Sequence, residues 1–171
     1  MKKLIVVLIV LSMASAANAQ ILELSISGPS SLATGATGTY TVSYSDATIC
    51  FSDVDIICDL GTIGGGVILT TNRDTEYDWT AANPETGNYE VIIANDMLVT
   101  DLGSPLFSFQ LTAPGTTGVA TISLIENYFF DLNWNMVTDT FMPSKEVTIT
   151  PEPVTIGLLG LGALFLRHRK R

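Results

Sequence analysis

Apolar and polar residues alternate along most of this chain with a period of two, the mark of strands with one buried face. Leu22, Leu24 and Ile26 alternate with Glu23, Ser25 and Ser27, and Tyr40, Val42 and Tyr44 with Thr41 and Ser43. The same rhythm returns at Tyr89, Val91 and Ile93, at Phe107, Phe109 and Leu111, and at Ala120, Ile122 and Leu124. Turn formers separate these runs: Gly28-Pro29-Ser30, Gly64-Gly65-Gly66, Asn83-Pro84 and Pro114-Gly115. No stretch has the periodicity of an amphipathic helix. The pattern predicts about nine strands, near 21–27, 39–45, 53–58, 66–70, 75–79, 89–94, 105–112, 118–125 and 145–150, at the spacing of a β-sandwich. The clearest hairpin is expected between Leu106–Thr112 and Gly118–Ile125, across Ala113 to Thr117.

Both ends break the alternation. Lys2 and Lys3 precede the apolar run Leu4 to Leu11, and Ala17-Asn18-Ala19 places small residues where signal peptidase reads. Residues 1–19 therefore read as a signal peptide cleaved after Ala19, leaving Gln20 first; the alternative is an uncleaved signal anchor. At the other end, Pro151-Glu152-Pro153 precedes the apolar run Val154 to Leu166 and the basic cluster Arg167, His168, Arg169, Lys170 and Arg171. The prolines hold the backbone extended, Pro153 suits the first position of a helix, and the basic end resists translocation. As a helix the run reaches only about 20 Å against about 30 Å of hydrocarbon, too short for a comfortable permanent anchor. Tripeptide, apolar span and basic end in this order resemble the PEP-CTERM sorting signal of exported bacterial proteins. The resemblance covers 151–171 and implies an exosortase, a membrane-embedded protease or transpeptidase, acting at or near Pro151-Glu152-Pro153. A plain tail anchor is the alternative. Positive charge at both ends places 20–150 outside the cytoplasm.

Composition changes meaning once these ends are set aside. The 171-residue chain carries a formal net charge of −9. Its body, residues 20–150, keeps only Arg73 and Lys145 against sixteen acids, a formal charge of −14. Such a surface repels nucleic acid and anionic headgroups and attracts cations. The only histidine, His168, lies in the tail, so the body has no Ser-His-Asp or Cys-His centre and no histidine-ligated metal. Two-carboxylate glycoside hydrolysis stays chemically open, but a small sandwich without pocket-forming insertions is a poor host for it. The chain reads as a non-enzyme.

Cys50 and Cys58 are the only cysteines. In an oxidising compartment a disulfide between them is expected, provided Phe51 to Ile57 turns back, with Ser52-Asp53 as the turn. The alternative is two unpaired thiols. Calcium is the most plausible small ligand, and no other cofactor is implied. Asn72, Asp74, Glu76 and Asp78 fall at every second position with Tyr77 and Trp79 between, which on a strand puts acids outward and aromatics inward. Asp131, Asn133 and Asn135 form a second row opposite Leu132, Trp134 and Met136, and Asp53, Asp55 and Asp59 a third cluster. Met136 and Met142 stand where an EF-hand needs glycine and glutamate, so that loop is rejected. Solvated edges explain the same rows without any ion. Trp79, Trp134 and Tyr128 are candidates for sugar stacking, yet alternation assigns both tryptophans to the core.

The phrase LFSFQLTAPGTTGVATISL, followed by a last strand at Val147 and Ile149, resembles the C-terminal half of cohesin domains, and the likeness extends diffusely from Leu22 to Thr150. It implies a nine-stranded jelly-roll sandwich, kin to some carbohydrate-binding modules, that receives a dockerin-like protein through one sheet face. No dockerin-contact residue is recognisable here. The expectation is an exported, non-catalytic module for binding protein or polysaccharide at the cell envelope, cell surface or extracellular matrix, held in the membrane before processing. A structural matrix protein without a defined ligand, or a membrane-anchored carbohydrate-binding module, is the alternative.

Overall fold

The computed structural model describes residues 21–45, 47–73, 78–82, 88–95, 101–153, 156–159 and 161, with Glu126 described by its backbone alone. The predicted signal peptide with Ala17 and Ala19, the acids Asp74 and Glu76, and the basic cluster Arg167 to Arg171 lie outside these residues.

Period-two patterning becomes eleven described strands: β1 (Leu22–Ser27), β2 (Ser31–Ala33), β3 (Thr37–Ser45), β4 (Phe51–Cys58), β5 (Thr62–Ile68), β6 (Trp79–Ala82), β7 (Tyr89–Ala94), β8 (Phe107–Thr112), β9 (Gly118–Phe130), β10 (Thr140–Phe141) and β11 (Ser144–Thr150). They form a five-stranded sheet, β10-β1-β3-β8-β5, and a six-stranded sheet, β2-β11-β9-β4-β7-β6. Leu22, Leu24, Tyr40, Val42, Phe107, Phe109 and Leu111 from the first sheet meet Val54, Ile56, Val91, Ile93, Ala120, Ile122, Phe129 and Val147 from the second in one buried core. At these positions the alternation reports the inward faces correctly, and the all-β sandwich it predicts is the fold.

Nine of the ten connections between successive described strands pass from one sheet to the other. β1 runs into β2 and β10 into β11, each pair passing from the five-stranded to the six-stranded sheet. The first crossing needs Gly28, whose φ of 148° is disfavoured for other residues and whose missing Cβ would lie 2.5 Å from the Tyr40 ring. β10 pairs parallel with β1 and β2 parallel with β11, so the first and last segments of the sandwich close side by side.

The strand layout departs from the expected one. Leu106–Thr112 and Gly118–Ile125 are not a hairpin: β8 lies between β3 and β5, and β9 between β11 and β4 in the opposite sheet. Ala113 to Thr117 arch over the end of the core, so both apolar faces still point inward. Of the strand expected near 75–79, residues 75–77 lie outside the described residues and β6 begins at Trp79; the short β2 and β10 carry too few residues to show a period.

The Cys50–Cys58 disulfide is also not formed; both cysteines are free. Ser52-Asp53 does not turn, because Ser52 pairs with Ile93 on one side and Phe129 on the other, in the middle of a sheet. The chain between the cysteines is one strand, so their Cα atoms stand about 26 Å apart, far beyond disulfide reach. Cys50 Sγ instead donates to the Asp131 carbonyl (3.0 Å), and Cys58 Sγ to the Leu60 carbonyl (3.3 Å). Burial raises both thiols above the ordinary cysteine range.

The two ends of the sandwich differ. Thr150, the last residue of β11, lies where Thr34 N–H reaches its carbonyl (2.9 Å), beside the arch whose Pro114 carbonyl accepts from Gly35. β9 rises from this pole at Gly118 to the opposite one at Phe130.

A candidate binding trough on the outer face of the six-stranded sheet

The strands that close the core also fix what faces outward. Register across β9, β4, β7 and β6 places Tyr128, Asp53, Ile92 and Trp79 in one outward row. The row toward the Phe130 pole holds Met136, Phe130, Phe51 and Ala94. The row on the other side holds Ile125, Asp55, Glu90 and Ala81. Asn127 is the extra residue of a bulge in β9, since Asp53 pairs with Tyr128 but Val54 with Glu126.

The rows are not level. Tyr128 on β9 and Trp79 on β6 are 53% and 50% exposed, whereas Asp53 and Asp55 on β4 between them are 9% and 5% exposed. An outward sheet face with exposed aromatic walls and a buried polar floor is a trough. Its floor is hydrogen-bonded in part: Asn127 Nδ2 donates to Asp53 Oδ1 (3.0 Å) and Asn88 Nδ2 to Asp55 Oδ2 (2.8 Å). Asp55 Oδ1 is buried without a hydrogen-bond partner among the described residues. Burial, opposed by the Asn127 hydrogen bond and assisted by the charge of Asp55, pushes the Asp53 carboxyl above the ordinary aspartate range.

The trough ends at the Phe130 pole in a ledge. Phe51 meets Phe130 edge-on (centroids 5.7 Å), and Phe130 meets Trp134 (5.6 Å). Trp134 has φ 62°, a left-handed conformation costly for a bulky side chain. The turn around it compensates. Asp131 Oδ1 accepts from the N–H of Asn133 (2.8 Å) and Asn135 (2.9 Å), and Oδ2 from Asn135 Nδ2 (3.0 Å). Some burial raises the Asp131 carboxyl, but these hydrogen bonds outweigh it and hold the group below its ordinary range.

Residues 131–135 are thus a turn rather than the predicted strand row, and Asp131 serves that turn's backbone and Asn135. Asp78 takes the Arg73 guanidinium (2.9 Å). Asp59 Oδ1 accepts from Thr121 N–H (2.6 Å), some six residues along β4 from Asp53, so that cluster is split. Among the described residues no three histidine, cysteine or acidic side chains gather to hold a metal. Alternation misassigned both tryptophans: Trp79 pairs with Ile92 on the outward face, and Trp134, 52% exposed, caps a turn. The sequence did not reveal the buried floor, because nothing local distinguishes a covered outward aspartate from a solvated one.

A separate cleft of about 280 Å³ opens between the sheets at the other end of β4, lined by Ile57, Cys58, Ile63, Asn88 and Tyr89. The tail begins directly after Thr150. Pro151, Glu152 and Pro153 are exposed, and helix begins at Pro153 with Ile156 N–H donating to the Glu152 carbonyl (3.3 Å). No helix of the described residues is long and apolar enough to cross a membrane.

No known family profile matches the sequence. No curated protein matches it either. Solved structures do match in fold. The cohesin module of a family 33 glycoside hydrolase from Clostridium perfringens aligns over 78% of this chain and 99% of its own, with a TM-score of 0.53 at 15% identity. The third ScaB cohesin of R. flavefaciens, solved in complex with a group 1 dockerin, aligns over 77% and 96%, with a TM-score of 0.53 at 13% identity. The described strands, β1 to β11, therefore fold as a cohesin-like β-sandwich.

Proposed function

We propose that this protein is an exported, non-catalytic binding module that receives a protein partner in the trough on its six-stranded sheet. One observation carries the reading: half-exposed Trp79 and Tyr128 flank buried carboxylates on a face against which no described strand packs. Rigid aromatics around a desolvated polar centre are the composition of interface hot spots. The cohesin-like fold supports the same choice, since a cohesin of this fold is known bound to a dockerin. A dockerin-like module is thus the partner class to try first.

In this reading the signal at 1–19 exports the chain, and the tail from Pro151 is read by an exosortase-type protease at the membrane. The body then stays at the cell surface or in the extracellular matrix. The trough ledge at Phe130 and the tail at Thr150 occupy opposite poles, so a tether at the tail presents the ledge away from it. A second reading, polysaccharide binding, is favoured by the exposure of Trp79, Tyr128 and Trp134 on one side of the molecule.

The test immobilises the full chain and measures binding of dockerin-bearing and other secreted proteins from the same source. Tight capture that is lost in the W79A/Y128A double variant, with folding intact, supports the docking face. Capture indifferent to that double variant sinks it, and glycan binding lost in the same variant would favour the polysaccharide instead. Intact-mass measurement of the envelope protein tests the tail: residues beyond Pro153 still attached at the surface would overturn processing.

A further inference from the structure

Asp55 on β4 lies directly opposite Glu90 on β7, and Asp53 shares their face two residues away. Like charges facing across a ladder repel, and the body has only two basic residues. Its two basic residues are elsewhere: Arg73 is bound to Asp78, and Lys145 sits on β11 in register with Ile122, two strands from β4. The Asp55 side chain is more than nine-tenths buried, Asn88 serves Oδ2, and Oδ1 has no hydrogen-bond partner among the described residues. A buried carboxylate oxygen left in that state costs free energy and calls for a donor. Although Asp53, Asp55 and Glu90 share a face, they do not converge into a group that could hold a metal ion among the described residues.

We infer that the trough floor receives an arginine of the partner protein, its guanidinium placed over Asp55 and Asp53 between the Tyr128 and Trp79 walls. The inference rests on the protein-docking reading of this face. A guanidinium supplies planar paired donors to carboxylates and presents its flat faces to aromatic rings, which a compact ammonium does less well. Because it is weakly hydrated, it enters a floor this buried at smaller desolvation cost than lysine.

The test titrates the full chain, isotopically labelled for NMR, with capped Gly-Arg-Gly peptide and with its lysine and citrulline counterparts. Saturable shifts of the Trp79 indole N–H and of the Asp53 and Asp55 amides are expected with the arginine peptide. They should weaken as salt is raised. Asp55→Asn, which keeps the shape and should melt no lower than the parent, is expected to bind the arginine peptide about ten-fold or more weakly. Equal shifts with citrulline, or unchanged affinity in Asp55→Asn, overturn the inference, and equal binding of the lysine peptide overturns the choice of guanidinium. Partner proteins separate the two levels. If W79A/Y128A loses the partner while Asp55→Asn keeps it, the arginine site falls and the docking face stands. If neither variant weakens the partner, the docking face itself falls.

Discussion

The two faces of the six-stranded sheet are built from the same strands and solve opposite problems. On β4, Ser52, Val54 and Ile56 point inward and are sealed by the five-stranded sheet, while Phe51, Asp53, Asp55 and Ile57 point outward. The inner face is buried by matching apolar surface, so its burial stabilises the fold. On the outer face Asp53 and Asp55 are nearly as inaccessible, yet they are carboxylates, and their burial works against folding. Low exposure therefore carries two meanings in one strand. The inner face holds the molecule together, and the outer face keeps a buried, incompletely hydrogen-bonded polar floor.

Substitution should separate the faces sharply. Phe109→Ala removes a fully buried ring stacked on Tyr40 (5.7 Å) and should cost about 3–5 kcal/mol in urea or thermal unfolding. A loss under about 1 kcal/mol would mean the core collapses around the cavity and is less closely packed than described here. On the outer side, Asp131→Ala frees the N–H groups of Asn133 and Asn135 and should cost about 1 kcal/mol. Its sign in pH follows from the lowered pKa. The contribution is present above the unfolded pKa of about 3.9 and lost as pH falls through the native value. An Asp131→Ala melting curve that still converged on the parent's only at pH 9 would contradict this.

Asp53 should behave in the opposite sense. Its raised pKa means the native state holds the proton more tightly, so stability falls as pH rises from about 3.9 through the native value. Asp53→Asn is expected to raise the melting temperature at pH 7 and to match the parent near pH 3; a lower midpoint at pH 7 would show the floor to be stabilising after all. Trp79→Ala and Tyr128→Ala, half-exposed, should each change stability by no more than about 0.5–1 kcal/mol while abolishing partner capture. The smallest expected effect is from dithiothreitol. With Cys50 and Cys58 at opposite ends of β4, the melting temperature should not move, and a fall would restore the disulfide.

Much of the inner face was legible in the sequence and little of the outer. Leu22, Leu24, Tyr40, Val42, Phe107, Phe109 and Leu111 alternate strictly because one neighbour is water and the other is the core. Trp79 follows the same rhythm, which predicts an inward side chain, although it pairs with Ile92 on the outer face. Residue type marks which positions share a face, but an interface face and a core face are both apolar. Asp131, Asn133 and Asn135 show a related limit: a polar row every second residue suits a strand, yet it also suits a turn whose backbone needs acceptors.

By itself the sequence determined the class of fold and the chemistry the body lacks. Period-two patterning fixes strands, two basic residues against sixteen acids fix the charge, and a single histidine in the tail removes most catalytic centres. Only the tertiary structure decided which strands are neighbours. It parted β8 from β9 and set Cys50 and Cys58 at the ends of one strand. It also buried Asp53 and Asp55 between the exposed Tyr128 and Trp79. The reason is the range of the forces involved: alternation is written by each residue's own contrast with water, whereas pairing and cover depend on segments far apart in the chain.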